Sequence, residues 1–190
     1  MPNILDEIVA AKTKELALQK GEVAQHELET RISTQARPLN LSGSLMGSGV
    51  RLIAEVKKAS PSRGLLCPDF DHVRLAETYA GNGAAAISVL TDPRFQGEPE
   101  HIVQIKASGA SMRAPVLRKD FIFDPYQVYE ARAMGADAIL LIVAILGPNQ
   151  LKELLALSMS MWMQCLVEVH DPGELETALA AGAEIIGINN

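Results

Sequence analysis

Glu55 and Lys57 stand two residues apart in a run that is otherwise apolar, with Leu52, Ile53, Ala54 and Val56 around them. In a β-strand, side chains two apart point to the same side. A strand of a parallel sheet is normally apolar on both faces, and burying charge without a partner is costly. Two opposite charges on one face, followed at once by Ser60-Pro61-Ser62-Arg63-Gly64, predict a polar site at the C-terminal end of a strand. A structural ion pair is the plainer alternative. Three more such places follow. The run Pro115-Val116-Leu117 ends in Arg118-Lys119-Asp120. Arg118 and Lys119 must point to opposite sides, and a lysine whose pKa is lowered by burial or charge acts as a general acid. A solvated strand end is the alternative there. Glu168 lies between Val167 and Val169 and needs a partner or a task. Lys57 and Lys119 are the expected partners, and one glutamate with two lysines across a barrel mouth makes an acid–base set. His170, just past that strand, is expected to cap the helix starting near Asp171-Pro172 rather than to catalyse. Last, Gly187-Ile188-Asn189-Asn190 offers amides that hydrogen-bond a polar substrate or simply form a turn.

These residues need elements to hold them. Short apolar runs recur at about 51–57, 85–90, 114–118, 137–143, 164–169 and 184–188. Stretches of helical periodicity lie between them. Gly-Ala pairs at 83–84, 109–110, 135–136 and 182–183 precede strands, and glycine is preferred just past a helix end. Such a βα succession predicts a parallel sheet with right-handed crossovers. The fold class is therefore α/β, of the TIM (β/α)8-barrel type, with about the first six units present. An open doubly wound sheet is the structural rival, but no GxGxxG turn follows the first strand.

Residues 1–48 read as an N-terminal helical extension and 49–190 as the incomplete barrel. Ile4, Leu5, Ile8, Val9 and Leu16 fall at helical spacing, with Asn3 as a candidate cap and Gly21 as the expected break. A second helix is expected from about 23 to 32. Pro38 with Ser42, Gly43, Gly47 and Gly49 predicts a linker. Met159, Met161, Trp162 and Met163 read as a packing cluster near a helix end. Phe95, in the loop after the second strand, covers either a ring-bearing ligand or only its own loop.

The chain is 48% hydrophobic and 21% charged, with a formal net charge of −6. That balance argues against nucleic-acid binding, which needs a basic surface, yet permits an anionic ligand held by local lysines and helix N-termini. Cys67 and Cys165 are too few and too far apart for a metal cluster or a disulfide framework. No basic leader or membrane-length apolar run is present. A cytoplasmic protein is expected, with no metal and no membrane partner.

The motifs together resemble the indole-3-glycerol phosphate synthase family. Glu-Val-Lys-Lys-Ala-Ser-Pro-Ser-Arg-Gly (55–64) is similar to its first-strand motif, and Ser-Val-Leu-Thr-Asp-Pro-Arg-Phe-Gln-Gly (88–97) to its second loop. Leu-Arg-Lys-Asp-Phe-Ile-Phe-Asp-Pro-Tyr-Gln-Val (117–128), Leu-Val-Glu-Val-His (166–170) and Ile-Gly-Ile-Asn-Asn (186–190) resemble strands three, five and six. The N-terminal helical extension also fits, so the resemblance covers essentially the whole chain. It implies ring closure, decarboxylation and dehydration of 1-(2-carboxyphenylamino)-1-deoxyribulose 5-phosphate, an anionic sugar phosphate, in tryptophan biosynthesis, without metal or organic cofactor. It implies Lys119 as general acid and Glu168 as general base or lysine holder. Lys57 would bind the substrate carboxylate and share in dehydration, with Glu55 supporting the network. Ser60 and Asn189 would touch substrate, and Phe95 and Phe121 would pack on its ring. The resemblance also expects an arginine after Asn190, a glutamate-serine segment and a glycine-rich phosphate grip. Six units alone are thus expected to be weakly active or inactive, and their open sheet edges are an association hazard. Another sugar-phosphate barrel, such as a phosphoribosylanthranilate isomerase-like protein, is the enzymatic rival. A non-catalytic, self-associating barrel fragment is the other.

Overall fold

A computed structural model describes residues 4–111 and 114–189. Along the chain, helices α1 (Ile4–Glu22), α2 (Gln25–Ser33) and α3 (Leu41–Leu45) come first. They are followed by β1 (Ile53–Val56) and a small hairpin of β2 (Ala59–Ser60) and β3 (Gly64–Leu65). The alternation then runs α4 (His72–Gly81), β4 (Ala86–Leu90), α5 (Pro99–Ser108), β5 (Val116–Lys119), α6 (Pro125–Ala133) and β6 (Ala138–Ile142). It ends with α7 (Pro148–Ser160), β7 (Gln164–Val169), α8 (Pro172–Ala181) and β8 (Ile185–Ile188). All six predicted strands are present, each within about two residues of its apolar run.

The chain forms two compact units, and β6 passes from one to the other. The first unit holds Ala36–Asp120 and Met134–Ile139. In it β1, β4, β5 and the start of β6 pair in that order, all parallel. Ile87, Val89, Val116, Leu117 and Ile139 are almost wholly buried, as strands covered on both faces must be. Asp137 ties this unit together. Its carboxylate accepts from the Leu39 and Val116 amides at 2.9 and 2.7 Å, and from the Lys106 ammonium at 2.8 Å. A buried carboxylate needs that many donors.

The second unit takes the chain up to Gln35, Phe121–Ala133 and the chain from Leu140 on. Here β6 continues beside β7, and β7 pairs with β8 in parallel. Leu16, Leu28, Tyr126 and Ala133 form a small core, with Val23, Ile32, Phe123 and Tyr129 packed on it.

Several expectations are corrected. Gly21 does not break α1, which runs to Glu22. The Tyr126 hydroxyl donates towards the carbonyls of Gln19 and Val23, at 3.3 and 2.9 Å, and so supports the last turn around the glycine. The expected linker contains α3: Asn40 caps it by accepting from the Gly43 amide at 2.8 Å, and Leu41 is fully buried. Asn3, the candidate cap of α1, lies outside the described residues. Met163 is buried, but Met159 and Trp162 stand exposed, and Trp162 has a φ of 64°. That left-handed position after a helix normally takes glycine, as Gly83, Gly109, Gly135 and Gly182 do here. Among the described residues, no helix is long and apolar enough to cross a membrane. Burial pushes the Cys165 thiol up to about 11, although a hydrogen bond with Ser158 pulls it down, so it stays a thiol near neutral pH.

Candidate active site

In the first unit, strand register builds the site. Glu55 is the direct neighbour of Ser88, and Leu90 of Lys119. Paired residues of a parallel sheet share a face, so Lys57 and Lys119 rise on the Glu55 side, two residues nearer the strands' C-terminal ends. Lys119 Nζ donates to Glu55 Oε2 at 2.6 Å, and Lys57 Nζ lies 2.5 Å from Oε1. Burial pushes the Glu55 carboxyl up, but the hydrogen bonds and charges of the two lysines outweigh it and hold the pKa below its ordinary value. Two ammoniums on one carboxylate leave a net positive charge at partly open strand ends, which suits an anionic ligand. The expected pair of Glu55 and Lys57 is therefore observed, enlarged by Lys119.

Alternation alone left open which of Arg118 and Lys119 would take which side. Lys119 joins Glu55. Arg118, 2% exposed, turns away and is closed by Asp120 at 3.0 Å and the Thr91 hydroxyl at 3.1 Å. Thr91 in turn donates to Asp120 at 2.6 Å. This buried network pins the strand end from behind the lysine. Sequence reading missed it, although Arg118 and Asp120 carry the same two-residue signal as Glu55 and Lys57.

Ser60 is half-buried in the hairpin, where its hydroxyl accepts from the Arg63 amide at 3.2 Å. The hairpin packs beside the turn Pro93–Phe95, which places Phe95 half-buried next to it. Asp92 fixes that turn by accepting from the Arg94 amide at 2.9 Å and its guanidinium at 2.6 Å. Gly97 follows because a Cβ there would run into the Leu90 carbonyl.

In the second unit, Glu168 faces Gly187 across the β7–β8 ladder. The Leu166 side chain packs against the place where a Cβ of Gly187 would lie, and the side chain that reaches Glu168 is that of Asn189, two residues on. Its amide donates to Glu168 Oε1 at 3.1 Å. His170 Nε2 lies 3.6 Å from the same oxygen and 3.2 Å from the Asn189 amide. His170 does not cap α8. Asp171 does, accepting from the Glu174 amide at 2.9 Å, while Glu174 reaches back to the His170 amide at 2.7 Å. Phe121 is half-buried, its carbonyl accepting from Gln127 at 2.9 Å. Asn190 lies outside the described residues. The predicted set thus appears as two groups, each within its own unit: Glu55 with Lys57 and Lys119, and Glu168 with Asn189 and His170.

The family model for indole-3-glycerol phosphate synthase matches residues 5–190. The chain belongs to the indole-3-glycerol phosphate synthase family. It is 52% identical over 189 residues to the indole-3-glycerol phosphate synthase of Dehalococcoides mccartyi strain BAV1, covering 98% of this chain and 73% of the relative. The enzyme of that name from Roseiflexus castenholzii is 51% identical over 195 residues, covering 100% of this chain and 72% of the relative. The chain therefore spans about three quarters of the length of these relatives. Among solved structures, 3-hexulose-6-phosphate synthase from Salmonella typhimurium superposes with a TM-score of 0.54 at 15% identity, over 72% of this chain and 62% of that one. That likeness shows the fold, which is of the (β/α)8 type. The family match does not favour the isomerase-like or non-catalytic readings.

Proposed function

We propose that this chain's residues carry out the family's ring closure, with Lys119 as the general acid. Closing the indole ring requires a proton on the substrate's carbonyl oxygen as the aromatic carbon attacks the carbonyl carbon. Loss of carbon dioxide then restores the ring, and a hydroxyl must leave with a second proton. Lys119, held at 2.6 Å by Glu55, is an ammonium already aimed along the strand-end face. Lys57, on the other oxygen of Glu55, binds the substrate carboxylate and supports the dehydration step. Glu168 serves as the general base, oriented by the Asn189 amide. Ser60 hydrogen-bonds the substrate, as does Asn189, and Phe95 and Phe121 pack against its aromatic ring. The chemistry needs no metal or organic cofactor, and we assign the protein to the cytoplasm.

The observation that carries this reading is the double pairing of Glu55 by Lys57 and Lys119 within a matched family sequence. The test is the fluorescence of indole-3-glycerol phosphate formed from its carboxyphenylamino-deoxyribulose precursor. It is run on this chain and on one extended to its relatives' length, each variant against a parent of equal length. Turnover that survives loss of the Lys119 ammonium would discard the assignment.

A further inference from the structure

Ser88 has no place in the chemistry above, yet it stands directly below it. It is 4% exposed, between Ile87 and Val89 in β4, and both of these are fully buried. Among the described residues, its hydroxyl has no hydrogen-bond partner. A buried hydroxyl without a partner carries a desolvation penalty that alanine or valine at this position would avoid. Register says where the hydroxyl points. Ser88 is the direct strand neighbour of Glu55, so it shares the face that carries Glu55, Lys57 and Lys119, one layer beneath the two lysines. The neighbouring position on β5 at that level is Leu117, which is apolar and buried. At that level on β1, β4 and β5 the polar side chains are therefore Ser88 and Glu55.

We propose that Ser88 is a positioning residue of this site: its hydroxyl and the Glu55 carboxylate together hold one small hydroxylic ligand, either a water molecule or a hydroxyl of the substrate's sugar chain. A hydroxylic group fits because it can donate to the carboxylate and accept from, or donate to, the serine at the same time. A bound donor would keep Glu55 anionic and so keep both lysines in place. The proposal rests on the reading of Glu55, Lys57 and Lys119 as the acid–base site.

The experiment follows the carboxyl carbon of Glu55 by NMR in protein labelled at glutamate, across an acid titration, with and without indole-3-glycerol phosphate. If the ligand is water, Ser88→Ala raises the Glu55 midpoint in the free protein by about half to one pH unit. If it is a sugar hydroxyl, the same rise appears only with the product bound. Ser88→Thr, which keeps the hydroxyl, restores the parent midpoint. Should the alanine variant fail to fold, Ser88→Cys, a much weaker donor, must shift the midpoint in the same direction. An unchanged midpoint in both states, with or without a gain in melting temperature, overturns the proposal and leaves Ser88 as packing. Lys119→Ala separates this from the parent reading. Removing that ammonium must itself raise the Glu55 midpoint, and if it does not, the acid–base site fails, and this inference with it.

Discussion

Two glutamates of this chain end up near the C-terminal ends of their strands, and their company differs. Glu55 is clamped between two ammoniums, and its charge is fixed by them. Glu168 has no lysine or arginine of its own unit beside it among the described residues; an amide donates to it and an imidazole approaches it. A carboxylate that two lysines neutralise is a poor proton acceptor, because taking a proton means breaking both pairs. In the proposed mechanism the first holds the acid in place and the second serves as the base.

The largest test of that contrast is Lys119→Ala. It should cut turnover by about 10³-fold, the scale of a lost general acid, with little change in KM. Glu168→Gln should cost about 10²-fold, because the amide keeps the shape and loses the base. If Glu168→Gln is silent while Glu55→Gln is not, the assignment of the two carboxylates is reversed. Asn189→Ala should cost about fivefold in turnover, the worth of one orienting hydrogen bond. The smallest effect is on stability. Glu55 titrates below the ordinary carboxylate value of 4.5 when folded. Its contribution to stability is therefore fully present above that value and lost as the pH falls through the lower folded one. Urea midpoints should fall in that acid window more steeply for the parent than for Glu55→Gln, and a matching fall in both would remove the clamp from the account.

Much of this arrangement was legible in the sequence, for physical reasons. Buried parallel strands are largely apolar runs, so 138–142 announced itself, and so did 86–90 despite Ser88. Four helix ends were marked by glycines that now show positive φ. The clamp on Glu55 was half visible, because a two-residue spacing puts Lys57 on its face. That Lys119 would complete it depended on the register of β5, which no local pattern encodes. The hairpin of Ala59–Ser60 with Gly64–Leu65 is too short to show a period of two. The helix at Leu41–Leu45 hid among glycines and serines, although Asn40 before the buried Leu41 was a cap signal. Glu168 was expected to look for lysines. Its hydrogen-bond partner is Asn189, two residues past its ladder neighbour Gly187, a consequence of pairing rather than of residue type. The resemblance to a family supplied the residue roles; strand register supplied the partners.

The exposed indole at the end of α7 has a practical consequence. Trp162 is the chain's one tryptophan and is already two-thirds in contact with water. Its emission in the native state should therefore lie close to that of the denatured chain, and loss of tertiary structure will be nearly silent in tryptophan fluorescence. Denaturation of this protein is better followed by circular dichroism, which leaves the optical window of indole free for the product.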